Sequence, residues 1–514
     1  QIRDGAKLYR DILYFYPPLT PYLLAAITAV IGNDLTSYQV IGTVIALLTA
    51  AVIYAFGRMA GSTHAAGAAT LLFVSGSIYS ISGRTMNYLI PYAYASTLAM
   101  LFFLGGAALL FRHVAARRSA LSMAGALAMF ALASWTKIEY AAFSTVLLLV
   151  VVIVFSIRLW WIAAWAVIGG VTLSLVHVYF SDAVPERHWL WENVLALSLL
   201  RGEPARHFYR QVSGFDVPGP NLVMIAAGIG VAALLALLVW TADRRRQPVV
   251  TGLIAVAMAV TGFYGGLAFI RGWALLQLVL LPVVVRRRDP LLIVVLASLC
   301  ASSRVFLRLM PHWYGFVYAI PTLILIAIVV FEWLPARGVY SRRAALLCVI
   351  PIAVVSAKLI ATETALLAAA RFPVETARGT FYDANPYRAV VLNAFFAELE
   401  KRQPRSLVVV PEGLALNYLT QIPTPLSFYT FTPAEAADPE IEQRIVRELE
   451  TTPPEMIAVV TRTVSDFGYR GFGIDYNRDM AAHIGRHYRL EREWRLPGFE
   501  LILLRRAAVL SSPP

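Results

Sequence analysis

Apolar runs of membrane-crossing length follow one another along residues 36–362, separated by short polar breaks. A helix needs about 20 apolar residues to cross a hydrocarbon core of about 30 Å. That rule predicts spans near 36–56, 62–80, 89–111, 120–135, 138–157, 159–179, 221–241, 249–270, 272–285, 290–302, 313–333 and 344–362. The runs at 272–285 and 290–302 are short, as tilted, broken or re-entrant segments are. Pro18–Ile31 is also short and follows Pro17, so it reads as an interfacial helix and not a crossing. After Thr362 the pattern changes. Ser406–Val410, Met456–Thr461 and Phe499–Leu504 are short, apolar and rich in β-branched residues, which predicts strands. Pro439–Thr451 and Asp479–Tyr488 carry helical periodicity. The expected architecture is a polytopic α-helical membrane domain over 1–362, with about 12 spans, and a soluble α/β domain over 363–514.

Composition agrees with that division. Of 514 residues 59% are hydrophobic and 15% charged, where a soluble protein has roughly a quarter charged. The formal charge of +13 suggests a nucleic-acid partner only until the basic residues are located. They form short clusters between apolar runs: Arg112 with Arg117 and Arg118, Arg244–Arg246, Arg286–Arg288, and Arg337 with Arg342 and Arg343. Counted through the expected spans, all four clusters fall on one side, which the positive-inside rule makes cytoplasmic. The other side then receives a first loop over 1–35, a long loop over 181–220, the loop 302–312 and the soluble tail. Nucleic-acid binding is set aside on this ground, and the partner implied is the bilayer of a cytoplasmic membrane. The two cysteines, Cys300 and Cys348, fall near opposite faces. Their Cα atoms cannot come within the roughly 7 Å a disulfide needs, so buried free thiols are expected.

Candidate chemistry gathers at the outer face, where charge close to the bilayer is costly and is usually paired or functional. In the first loop, Lys7, Arg10 and Asp11 precede the interfacial helix. This is either a solvated juxtamembrane loop or a proton-accepting carboxylate beside phosphate-holding cations. In the turn Trp135-Thr136-Lys137-Ile138-Glu139-Tyr140, Lys137 either pairs with Glu139 or reaches a lipid phosphate. Arg304 and Arg308 are four apart and share a face if helical, with Pro311-His312-Trp313-Tyr314 close behind. Outer-face arginines are not explained by positive-inside statistics; Arg84 and Arg271 also fall there. The loop 181–220 carries Glu186, His188, Trp189, Trp191, Glu192, Arg201, His207 and Tyr209. It suits an amphipathic connector, a lid on the membrane, or a sugar or acceptor wall built on His188, Trp191 and Glu192.

Metal signals are weak. His483 and His487 are four apart on an expected helix, but no zincin glutamate accompanies them, and a solvated helix face is the favoured reading. No Walker motif, serine elbow or Cys/His cluster occurs, and Pro411-Glu412-Gly413 reads as a strand-ending turn. No cofactor is expected, and nothing in the sequence supports a divalent cation.

Two stretches of the first loop, Ile2-Arg3-Asp4-Gly5-Ala6-Lys7-Leu8-Tyr9-Arg10-Asp11 and Tyr16-Pro17-Pro18-Leu19-Thr20-Pro21-Tyr22-Leu23-Leu24-Ala25, resemble the first outer loop of bacterial GT-C glycosyltransferases. They resemble the group of protein O-mannosyltransferases and the lipid A aminoarabinose transferase. Leu132–Glu139, with its Thr-Lys pair, resembles a further segment of the group, and Pro411–Thr420 is similar to tails of bacterial members. The resemblance implies a polyprenyl-phosphate-linked sugar donor and a lipid, glycan or protein acceptor at the outer face. It also implies an acidic pair just after a first span, expected upstream of Gln1. Asp11 is then the remaining carboxylate of the first loop, with Lys7, Arg10, Lys137, Arg304 and Arg308 as candidate phosphate contacts. Two other classes fit the composition: a transporter or flippase of lipid-linked saccharides, and a non-catalytic envelope assembly protein. A transporter favours mid-span charges and internal repeats. The sequence shows no repeat, and its ionisable groups gather at one face.

Overall fold

A computed structural model describes residues 1–78, 86–116, 119–181, 187–197, 202–245 and 247–507, the side chains of 187–189 excepted. Arg84, Arg117, Arg118, Glu186, Arg201, Arg246 and the side chains of His188 and Trp189 thus lie outside the described residues. The chain divides into two compact units. One is Tyr38–Ser174 with Arg210–Leu367; the other is Gln1–Ser37 with Leu175–Tyr209 and Ala368–Pro514.

The first unit is helical. Among the described residues of the chain, eight helices are long and apolar enough to cross a membrane. They are Leu35–Ala60, Tyr94–Ala115, Trp160–Phe180, Glu203–Arg245, Pro248–Arg286, Leu291–Arg308, Gly315–Ala336 and Arg342–Ala369. Thr63–Ile78, Ala120–Thr136 and Glu139–Val154 are apolar but shorter, as is Leu19–Ile31. The spans expected at 249–270 and 272–285 are one uninterrupted helix of 39 residues. Straight, it would run about 58 Å, nearly twice the hydrocarbon core. It is not straight. Asp243, just before it, accepts from the Ser341 backbone N–H (2.9 Å) and hydroxyl (2.6 Å). Asp289, just after it, pairs with Arg337 at 3.5 Å. Both ends therefore lie close to the 337–341 segment, which a straight helix of that length could not do. The arginines at 244–245, 286–288, 337 and 342–343 consequently share one end of the unit.

Small residues let these helices touch backbone to backbone. A Cβ on Gly228 would fall 1.9 Å from the Ala268 carbonyl oxygen, and one on Gly272 would fall 2.7 Å from the Gly228 backbone. This is the close packing that small residues provide between membrane helices. Polar groups inside the bundle satisfy one another. Gln277 donates to Ser302 (2.9 Å), Ser298 donates to Gln277 (2.5 Å), and Ser298 and Thr322 share a bond of 2.7 Å. Cys300 and Cys348 are free thiols, Cys348 buried and Cys300 partly so.

The second unit is α/β. Its four-stranded sheet has the order β3-β4-β6-β5, where β3 is Leu407–Val410, β4 Met456–Val460, β5 Tyr488–Leu496 and β6 Phe499–Arg506. β3 and β4 are parallel; β4–β6 and β5–β6 are antiparallel. Val408 and Val410 face a core with Ile441, Ile445 and Leu449, whereas Leu407 and Val409 face Phe395, Phe396 and Leu399. A strand covered on both faces has no polar side, which is why β3 reads as a continuous apolar run. β5 is the counter-case: it lies at the sheet edge, is rich in charge, and gives no apolar signal. An antiparallel pair, β1 (Phe372–Thr376) and β2 (Gly379–Asp383), precedes the sheet and was likewise not expected. The helix expected at Pro439–Thr451 forms with those bounds, and the one near 479–488 runs Arg478–His487. There His483 is buried beside Met480 and Ile484, whereas His487 is exposed, so the solvated face expected for the pair holds at His487 and not at His483.

The first loop is built into this unit. The Leu13 backbone N–H donates to the Ser427 carbonyl at 2.9 Å, and the Leu13 side chain joins the β3 core.

Candidate functional site

The sequence candidates fall into both units. In the helical unit, the helix Ala120–Thr136 stops where Lys137 adopts an extended conformation (φ −154°, ψ 121°). The next helix opens with Glu139 in its first turn, where free backbone N–H groups favour a carboxylate. The tight turn puts Lys137 and Glu139 against Tyr318, from a helix 181 residues away from Lys137. Lys137 Nζ donates to Glu139 Oε1 (3.1 Å) and to the Tyr318 hydroxyl (2.7 Å). The Tyr318 hydroxyl donates to the same Glu139 oxygen at 2.6 Å. Arg304 Nη2 lies 3.6 Å from Glu139 Oε2. Tyr140, beside them, is fully buried, and its hydroxyl has no partner among the described residues.

Pairing and phosphate contact were alternatives for Lys137; the pair forms, and it brings Arg304 with it. Two cations on one carboxylate leave an excess of one positive charge within this group. The side chains of Lys137 and Glu139 are 10% and 18% exposed, so that charge is poorly screened by water. Such an arrangement can hold an oxyanion, with the carboxylate and phenol fixing the lysine in place.

Arg308 does not join the group. The segment Ser303–Arg308 is a 3-10 stretch broken at Val305 (φ −133°), so residues four apart do not share a helical face. Arg308 turns instead to the Gln211 carbonyl (2.7 Å) and the Asp216 carboxylate (3.0 and 3.1 Å). The expected two-arginine face is thereby corrected: Arg304 belongs to Glu139, Arg308 to the end of the long loop. Arg271 contacts Met310 Sδ at 3.4 Å.

In the α/β unit, Arg10 and Asp11 form a bidentate pair, with both hydrogen bonds at 2.7 Å. The Lys7 backbone N–H adds a third bond to Asp11, at 2.8 Å. These contacts, Arg10 foremost, hold the Asp11 carboxyl below the usual carboxylate range. A carboxylate so stabilised is a poor proton acceptor, which argues against Asp11 as a general base. The Lys7 side chain is exposed. Leu8 and Tyr9 are buried with Phe180, Leu190 and Val194. Trp191 packs on the same cluster and stacks on His177 (5.9 Å between centroids, 10° between planes). It serves as an apolar anchor there; Glu192 is partly buried on the same helix.

A second charged group stands at the carboxyl ends of the parallel strands β3 and β4, where open α/β sheets usually bind ligands. Arg462 donates to Glu412 (2.7 Å) and Asp466 (3.0 Å). Nearby, burial pushes the Glu435 carboxyl up to about 7, with the Glu412 charge adding to the shift. The turn reading of Pro411-Glu412-Gly413 overlooked this, because the partner arginine is 50 residues away. Among the described residues no group of three or more His, Cys, Asp or Glu side chains could hold a metal ion.

The apolar helices and the sheet define a multi-pass membrane protein with a C-terminal α/β domain. No protein-family model matches the chain, and no curated protein sequence is significantly similar to it. Among solved structures it is similar to ArnT from Cupriavidus metallidurans bound to undecaprenyl phosphate, with a TM-score of 0.44 and 16% identity over 98% of this chain and 90% of that one. It is similar also to the Archaeoglobus fulgidus oligosaccharyltransferase in complex with zinc and sulfate, with a TM-score of 0.49 and 12% identity over 98% of this chain and 67% of that one. A third is the Archaeoglobus fulgidus oligosaccharyltransferase AglB in complex with an inhibitory peptide and a dolichol-phosphate (TM-score 0.46, 12% identity, 100% and 69% covered). These are glycosyltransferases of the GT-C type, the group that the sequence motifs resemble.

Proposed function

We propose that this protein is an integral-membrane glycosyltransferase that moves a sugar from a polyprenyl-phosphate-linked donor to an acceptor at the outer face of a bacterial cytoplasmic membrane. The observation that carries this is the largely buried Lys137–Glu139–Arg304–Tyr318 group at the ends of membrane helices. An acceptor hydroxyl attacks the anomeric carbon, its proton passes to a base, and the bond to the donor phosphate breaks. Negative charge grows on the departing polyprenyl phosphate, and fixed cations stabilise it without reorganising. Lys137 and Arg304 take that role. Glu139 and Tyr318 position the lysine.

Two further features support a lipid-linked donor. The helical unit holds a cavity of about 400 Å³ lined by apolar side chains, among them Ile229, Phe269, Trp273, Val330 and Pro351, a space suited to an isoprenoid chain. The motifs of the first loop and of Leu132–Glu139 resemble GT-C segments. The outer-face assignment rests on the arginines gathered by the 337–341 segment, which the positive-inside rule makes the cytoplasmic end.

The test is sugar transfer from synthetic polyprenyl-phosphate sugars by the purified full-length protein in nanodiscs. Lys137→Gln is expected to lower kcat by about 10²–10³, the usual cost of one preorganised charge-stabilising donor. Transport of the intact donor across proteoliposomes, with no transfer product from any donor, would replace this reading with a flippase.

A further inference from the structure

The hairpin β1–β2 supplies none of the residues proposed for transfer, yet both of its ends are tied to membrane helices. At one end the chain leaves the helix Arg342–Ala369 and enters β1 at Phe372. Three residues span at most about 11 Å, so the strand begins close to the end of that helix. At the other end, the Arg378 carbonyl of the hairpin turn accepts from the Leu35 backbone N–H at 3.0 Å. The Arg378 guanidinium donates to the Asn33 carbonyl at 2.9 Å. Leu35 opens the helix Leu35–Ala60, another of the apolar helices long enough to cross. The first N–H groups of a helix lack intrahelical partners, and the turn supplies one.

A strand of this length advances about 17 Å. Even with the connection from Ala369, that falls short of a hydrocarbon core of about 30 Å. Both helices therefore end on the same side of the bilayer, and a hairpin strung between their ends runs along the membrane surface.

The strand register fixes which face of the hairpin is free. Val374 pairs with Phe381, and both turn into the apolar core that holds Phe395 and Leu399. Side chains alternate along a strand, and directly paired residues share a face. Pro373 with Tyr382, and Glu375 with Thr380, therefore turn the opposite way. All four are exposed, Tyr382 by 59%. Behind the other face stands the rest of the α/β domain, whose charge requires water. The free face is thus the one turned to the bilayer. Its residue types set the depth. The Tyr382 ring suits the boundary where aromatic side chains collect, whereas Glu375 could enter hydrocarbon only at a heavy desolvation cost.

We infer that the β1–β2 hairpin lies in the lipid headgroup layer, with its Pro373, Glu375, Thr380 and Tyr382 face against the bilayer and the Tyr382 phenol as its anchor. This contact holds the α/β domain to the membrane whether or not the protein transfers sugar.

The test uses the full chain in nanodiscs, carrying Cys300→Ala and Cys348→Ala, with a nitroxide on one introduced cysteine. Tyr382→Cys and Thr380→Cys probe the proposed face. Lys401→Cys, at the exposed end of the helix Pro386–Arg402, is the aqueous reference. Collisions with oxygen, which concentrates in lipid, and with a neutral nickel chelate, which stays in water, read the surroundings of each label. At Tyr382 nickel collisions should fall several-fold below those at Lys401, while oxygen collisions match or exceed them. Nickel accessibility equal to that at Lys401 puts the face in water and overturns the assignment. Low accessibility to both reagents means that protein covers the face, and overturns it as well. Thr380→Cys is read by the same criteria and decides the matter if Tyr382→Cys fails to fold.

Discussion

Arg304 and Arg308 illustrate how much one dihedral angle decides. Because Val305 leaves the helical region, one guanidinium meets Glu139 and the other meets Asp216. The two substitutions should therefore have different effects. Arg304→Gln is expected to weaken donor binding about tenfold with little change in melting temperature. Arg308→Gln, which strands Asp216 and the Gln211 carbonyl, should cost about 1–3 kcal/mol of stability and leave donor affinity near wild type. Isothermal binding of a polyprenyl phosphate and thermal melting of both variants separate these outcomes, and the reverse pattern would exchange the two roles.

Glu435 gives the residue scale its pH dependence. Its folded carboxyl titrates at about 7, against an ordinary value of 4.5, so between those values the folded state binds more protons than the unfolded one. Stability contributed by this group is full below about pH 4.5 and is lost as pH rises through 7. Glu435→Gln should flatten that slope, giving a melting temperature at pH 8 above that of the wild type. A wild-type slope unchanged by the substitution would mean that Glu435 titrates normally.

At the scale of elements, the helix Pro248–Arg286 is the main departure from what the hydropathy pattern predicts. Both arms are apolar as expected, but the chain stays helical through Arg271 between them, so the return is made by bending and not by a loop. The bend is held by contacts distant in sequence, Asp243 to Ser341 and Asp289 to Arg337. Its packing on the preceding helix depends on Gly228, where a methyl group would strike the Ala268 carbonyl. Gly228→Ala should destabilise the protein by about 1–3 kcal/mol through overpacking. Thermal unfolding of the purified variant checks this, and wild-type stability would show that the helix pair can part without cost. In the α/β unit the central strands were legible because burial on both faces leaves an apolar run. The edge strand β5 was not, because its exposed side chains carry charge.

For the whole molecule, the arginine clusters at one end of the helical unit predict sidedness. A cysteine placed at exposed Lys401, in the α/β domain, should react with an impermeant thiol reagent on intact spheroplasts. One at exposed Arg343 should react only after permeabilisation. Labelling in the opposite order would invert the topology and put the soluble domain in the cytoplasm.

Taken alone, the sequence determined the class of molecule: the apolar runs require a membrane, the returning charge density requires water, and the short β-branched runs require a sheet. It also located the Lys137–Glu139 turn, because a charged pair between two apolar helices is visible locally. Only the tertiary structure decided what that turn does. Tyr318 sits in an apolar run that gives no local sign of its role, and it reaches Lys137 because hydrogen-bonding groups in a low-dielectric interior must find each other across the fold. The same holds for Arg462 with Glu412, and for the Leu35 backbone with Arg378. Hydropathy and spacing are properties of neighbours along the chain, whereas the partners of a buried charge are chosen by packing.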